Sequence, residues 1–180
     1  MLTHAEISGI IVTLSGEKKP YHFKVKAKDE SDVNCYFDQE IEAKVITLYK
    51  KFVRVGGTTN QNQKMHNIDA VDYIEVLTSE EMSNIGRYKL LKPVTFEVHY
   101  DMDDSLWCLE NYDLALDGYG STYNEAIECL EENIEGHVLS FTRRPDSEQS
   151  DDSLSVKKKL KEYLDFNQVL DYLRERDGEV

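Results

Sequence analysis

The stretch Gly118–Phe141, "GYGSTYNEAIECLEENIEGHVLSF", carries the strongest helical pattern in the chain. Tyr123, Ala126, Ile127, Leu130, Ile134, Val138 and Phe141 recur at three- and four-residue spacing, which makes one side of a helix apolar. Thr122 and Glu125 stand in the T-x-x-E spacing of a capping box and fix where that helix begins. Glu125, Glu128, Glu131, Glu132 and Glu135 fall largely off the apolar stripe, on a surface expected to face water. No base or nucleophile is spaced to work with them, so they read as contacts for a partner rather than as catalytic groups. Glu125, Glu128, Glu132 and Glu135 are the candidate partner-binding residues.

Upstream of this helix the period changes from helical to two. "VTFEVHYD" alternates Val94, Phe96, Val98 and Tyr100 against Thr95, Glu97 and His99. The turn-forming "MDDS" separates it from a second strand, "LWCLEN". "YDLALDGYGS" continues as a third extended stretch through Tyr112, Leu114 and Leu116, expected to end in a glycine turn from Gly118 to Gly120. Residues 81–92 are polar, contain Gly86, and read as a linker, with Pro93 ending any helical turn there.

Two hairpin strands, a third extended segment, a glycine turn and "GSTYNEAIECLEENI" together resemble the HicB-like antitoxin family. The matching positions are Gly120, Thr122, Glu125 and Ala126, preceded by Trp107, and the resemblance covers about residues 93–142. It implies a β-β-β-α module of degenerate ribonuclease-H-like topology. It also implies a function: binding and neutralising a small basic RNA-cleaving toxin, HicA. An acidic module can cover a cationic RNA-binding surface. No DNA-binding helix pattern follows the module.

Downstream, residues 143–153, "RRPDSEQSDDS", read as an acidic, Pro- and Ser-containing linker. Residues 154–180 have helical spacing through Leu154, Leu160, Leu164, Val169 and Leu173. They are expected as one helix, or as two broken near Asp165 to Asn167, with Ser153 or Ser155 as the cap.

Residues 1–80 read as three strands, a helix and two strands. "EISGIIVTLS" and "YHFKVKA" are the first two, the latter with Tyr21, Phe23, Val25 and Ala27 inward. "VNCYFD" is the third, and "QEIEAKVITLYKKF" switches to helical spacing through Ile41, Val45, Leu48 and Phe52, with Asp38 as its N-cap. "VRVGGTTN" and "VDYIEVL" are the last two strands, joined by the polar tip "NQNQKMHNID". This order resembles a five-stranded OB-fold barrel, whose outer strand-two and strand-three surface implies oligonucleotide binding. Here that surface would present His22, Lys24, Lys26, Asn34 and Tyr36.

Charge and cysteine content narrow the function classes. The formal charge of −14 is uneven, with 10 Lys+Arg against 12 Asp+Glu in residues 1–80 and 11 against 23 in residues 81–180. The second half would repel nucleic acid and attract a basic protein. Cys35, Cys108 and Cys129 are odd in number and widely spaced, so neither a disulfide framework nor a zinc site is expected. Asp101, Asp103 and Asp104 read as a hairpin turn rather than a magnesium site, and the five histidines lack zinc-ligand spacing. "RVGGTTN" lacks the lysine-serine ending of a phosphate loop.

The expectation is therefore an α+β protein with an OB-like barrel, a HicB-like β-β-β-α module and a C-terminal helix, not an enzyme, with no metal or cofactor. Its partner would be a small basic toxin-like protein, with a homodimer also in view. A cytoplasmic location is expected, since no leader or membrane-spanning window is visible. The alternative function is single-stranded nucleic-acid binding by the barrel, with the second module used for oligomerisation.

Overall fold

The computed structural model describes residues 2–15, 20–60 and 67–178. The chain is mixed α and β, with a six-stranded and a four-stranded sheet, neither closed into a barrel. It divides into two compact units: residues 1–78 with His99–Ser105, and Ser79–Val98 with 106–180.

In the first unit, alternation sets the strands. These are β1 (Leu2–Ser15), β2 (His22–Ala27), β3 (Asp32–Tyr36), β4 (Phe52–Asn60), β5 (Asn67–Ile68) and β6 (Ala70–Val76). Their order in the sheet is β5-β3-β2-β1-β4-β6. Phe23, Val25, Val33 and Cys35 point inward as the period of two requires, and pack with Ile11, Val45, Leu48, Val53, Val55, Ile68 and Ile74. The expected tip "NQNQKMHNID" begins with Asn60 at the end of β4 and includes 61–66, which lie outside the described residues. Its last residues form β5, so β5 and β6 occupy opposite edges of the sheet with only Asp69 between them in the chain.

The expected barrel is thus replaced by an open sheet of six strands. The expected last strand is present as β6, and the expected tip contributes a further strand: Asn67 and Ile68 pair parallel with β3, whereas Ala70 onward pairs antiparallel with β4. The helix is also shorter than its spacing suggests. A 3-10 turn at Gln39–Ile41 precedes α1 (Glu42–Thr47), and Phe52 opens β4. Lys50, at φ +60°, turns the chain away from helical geometry before Phe52. Asp38 occupies the N-cap position without making a side-chain cap hydrogen bond.

The second unit is a four-stranded sheet in the order β10-β9-β8-β7, with α2 packed on β10 and β9. Its strands are β7 (Ser79–Ile85), β8 (Tyr88–Asp101), β9 (Leu106–Asn111) and β10 (Leu116–Gly120). The helices are α2 (Tyr123–Arg143), α3 (Asp151–Tyr163) and α4 (Phe166–Asp177). Residues 81–92 are therefore not a linker. They form most of β7, the Gly86–Arg87 turn and the start of β8, held by the burial of Met82, Ile85, Tyr88 and Leu90. The pairing jumps from Met82↔Val94 to Asn84↔Lys89, leaving Leu90–Pro93 bulged away from β7. Proline, with no N–H to give, is accommodated in such a bulge.

Gly118 and Gly120 do not make a turn; they lie in β10. Both are buried against α2, and a Cβ on Gly118 would sit 2.8 Å from that of Leu130 while overlapping the Ala126 carbonyl. The glycines let strand and helix approach closely. The capping box forms: Thr122 Oγ1 accepts from Glu125 N at 3.0 Å, and Glu125 accepts in return from the Thr122 N–H.

The expected acidic linker 143–153 contains a 3-10 turn, Asp146–Glu148, and the first residues of α3. The cap of α3 is Ser150, which accepts from Ser153 N at 3.2 Å, rather than Ser153 or Ser155. The tail is two helices, with Asp165 capping α4 through Asn167 N at 2.9 Å. Stacked Phe141 and Phe166 at one end, and Arg176 with Glu135 farther along, run α4 antiparallel to α2. No helix among the described residues is long and apolar enough to cross a membrane.

Candidate functional site

The four glutamates expected to bind a partner separate into three environments. Glu128 and Glu132 are exposed, one turn apart on α2. Glu125 is exposed but committed to its own helix start, accepting from Ser121 N at 2.9 Å and the Ser121 hydroxyl at 2.5 Å. These bonds hold its carboxyl below the ordinary range. Glu135 is buried: its Oε1 accepts from Tyr88 at 2.7 Å and its Oε2 from Arg176 at 2.8 Å.

Glu131 is buried as well, contrary to its expected place on a wet surface. Its Oε1 accepts from Arg87 N at 2.5 Å and Nε at 2.8 Å, and its Oε2 from Arg87 Nη2 at 3.1 Å. The Arg87 guanidinium lies 4.3 Å from the centre of the Tyr172 ring, and Tyr172 meets Tyr88 edge to face. The sequence placed these glutamates off the apolar stripe of α2 correctly. It does not reveal that α4 and the β7–β8 turn cover that flank. The network ties α2, α4 and the turn together and commits the carboxylates of Glu131 and Glu135 to contacts within the second unit.

A second acidic surface, which the helix pattern does not disclose, lies on the sheet. Phe96, Trp107, Leu109 and Gly118 face α2, so alternation sends Glu97, Glu110 and Tyr119 to the opposite face, whereas Asp117 on the edge strand β10 accepts from Asn133 of α2 at 3.2 Å. Glu81 joins them across from Thr95. The two oxygens of Glu110 are forked by two tyrosines, with Tyr112 Oη donating at 2.8 Å and Tyr119 Oη at 2.7 Å. Both phenols are raised above their usual range, chiefly by donating to Glu110, and Glu97 adds its charge at Tyr112. Tyr112, expected in a strand, is instead in the turn after β9 and 73% exposed. Lys89 stands at the far end of this face, opposite Asn84. The signal for the surface was present in the alternation of "VTFEVHYD", which put Glu97 on the polar side.

In the first unit, His22, Lys24, Lys26, Asn34 and Tyr36 do share one face of β2 and β3. The cations are neutralised by neighbours. Lys24 pairs with Asp32 at 3.0 Å and Lys26 with Glu30 at 2.5 Å, while Asn34 donates to Asn67 at 3.3 Å. The His22 and Tyr36 rings lie 5.5 Å apart. The face is zwitterionic rather than cationic.

A cleft of about 420 Å³ opens where β3 loses its partner at Asp69. Tyr21, Tyr36 and Phe37 contribute aromatic walls, and Asp38, Gln39 and Asp69 a polar rim. Tyr21 and Phe37 stack at 6.0 Å.

Asp101 Oδ1 accepts from Asp103 N at 2.8 Å and Asp104 N at 3.2 Å, which is hairpin chemistry. No group of three His, Cys, Asp or Glu side chains among the described residues is arranged to hold a metal. The cysteines are free, and burial pushes the Cys35 thiol up to about 12. No protein-family model, curated protein or solved structure matches the chain.

Proposed function

We propose that the protein is a non-catalytic binding protein whose second unit docks a basic protein partner, in the manner of a HicB-type antitoxin. The observation that carries this reading is the tyrosine-flanked acidic face of β7–β10, where Glu81, Glu97 and Glu110 stand beside Tyr112 and Tyr119. Exposed tyrosine supplies contact area at low entropic cost, and the carboxylates supply complementarity to a cationic surface. The helix start at Gly120, Thr122, Glu125 and Ala126 supports the family likeness, with β7 adding a fourth strand to the module.

The test is retention of a small basic protein from extracts of the native host by the full chain. Its affinity is then measured for wild type and for the Glu97→Lys, Glu110→Lys variant. Reversing two charges on a partly screened surface should weaken binding about 10- to 100-fold and flatten its salt dependence. Undiminished binding by the variant, or retention only of partners without basic excess, removes the proposal.

The nucleic-acid alternative draws support from the strand pairing of the first unit. There β2 and β3 lie side by side in the sheet, which keeps His22, Lys24, Lys26, Asn34 and Tyr36 on one face. The neutralised lysines make it the weaker reading.

A further inference from the structure

We infer that the cleft at the β5–β6 break in the first unit is a receptor for one guanidinium side chain presented by a polypeptide. The reasoning starts from how this chain treats its own cations in the second unit. Arg87 lies over Tyr172 and is held by Glu131; Lys92 lies 4.0 Å over the Tyr163 ring and pairs with Glu162 at 3.1 Å. Each is an aromatic face with a carboxylate at its side, the combination that attracts a cation through ring quadrupole and charge together.

The cleft has the same composition without the cation. Tyr21, Tyr36 and Phe37 wall it, Asp38 and Asp69 rim it, and no lysine or arginine among the described residues lines it. Asp38 makes no cap hydrogen bond to its own helical turn, and Asp69 uses Oδ2 to accept from Asn60 N at 2.9 Å. Among the described residues, neither carboxylate is ion-paired. The opening is built into the backbone. The chain leaves β3 after Cys35↔Ile68 and joins β4 from Ala70, so Tyr36 and Phe37 run past the point where their neighbouring strand departs. A phosphate-bearing ligand would meet two carboxylates there, whereas a planar guanidinium can stack on a ring and donate to a carboxylate at once.

The partner chemistry is shared with the reading above, but the surface is not, so the two can fail separately. The experiment is aromatic-proton NMR on the full chain at constant ionic strength. It is titrated with N-acetyl-arginine amide, with the uncharged N-acetyl-citrulline amide, and with a short oligothymidylate. Arginine amide should shift the Tyr21, Tyr36 and Phe37 resonances saturably below about 50 mM, with citrulline amide at least about fivefold weaker. Asp38→Asn, which leaves the sheet untouched, should weaken arginine binding at least about threefold. Equal response to citrulline amide overturns the inference. So do shifts confined to Tyr112 and Tyr119, indifference to Asp38→Asn, displacement of arginine by the oligonucleotide, or no shift at all. The Glu97→Lys, Glu110→Lys variant should bind arginine amide at the cleft as wild type does.

Discussion

Replacing Gly86 with alanine should destabilise the second unit through Glu131 rather than through the turn alone, and a double-mutant cycle separates the two. Gly86 has φ +50°, where an L side chain costs about 1 kcal/mol. A Cβ there would also overlap the carboxyl of Glu131 and displace it from Arg87. Three hydrogen bonds to a buried carboxylate are then strained or lost. Arg87 is 42% exposed, so water replaces part of that loss, and about 2 kcal/mol is the appropriate scale. Gly86→Ala should therefore cost about 3 kcal/mol, and Glu131→Ala, which removes the same bonds, about 2 kcal/mol. In the double variant the overlap has nothing to displace, so its cost should be about 3 kcal/mol rather than about 5. Trp107 is the only tryptophan and is buried in the core of the second unit, so its fluorescence in urea follows that unit. Additivity within about 0.5 kcal/mol would refute the idea that Gly86 exists to admit Glu131.

Three further expectations are open to direct measurement. Gly118→Ala and Gly120→Ala should each cost about 2 kcal/mol or more by forcing β10 from α2. Gly136→Ala, with nothing within 4 Å, should stabilise α2 by about 0.5–1 kcal/mol; a loss there would contradict the packing. Glu125 has a depressed folded-state pKa, so its contribution is complete above the ordinary carboxyl value of 4.5 and is lost as pH falls through the lower folded value. Glu125→Gln should accordingly show a shallower acid limb in the urea midpoint than wild type, and an unchanged limb would exclude the capping-box origin. Cys35, fully buried and with its thiol pushed up to about 12, should resist thiol reagents until the first unit unfolds. Labelling of Cys35 under native conditions would show that core to be open.

Much of the local structure was legible in residue order. The two-residue period of "YHFKVKA" and "VTFEVHYD" and the capping box at Thr122 and Glu125 each report a local periodicity that the backbone imposes on side-chain direction. The hairpin Ser79–Asp101 was hidden because Gly86 and a polar composition imitate a linker. Its strands are stabilised by Met82, Ile85, Tyr88 and Leu90 reaching a core that other segments provide. Gly118 and Gly120 imitate a turn for a related reason: an absent side chain serves a sharp bend and a close helix contact equally well.

The sequence by itself determined the mixed α and β composition, the alternating faces, the extent of α2 and the excess of negative charge in residues 81–180. Only the tertiary structure decided which of those charges are surface. Glu131 and Glu135 lie off the apolar stripe just as Glu128 and Glu132 do, yet α4 and the β7–β8 turn bury the first pair against Arg87, Tyr88 and Arg176. Helical spacing records the direction a side chain takes from its own axis. Whether water or another segment waits in that direction depends on contacts between residues more than 40 positions apart, and no local period encodes those.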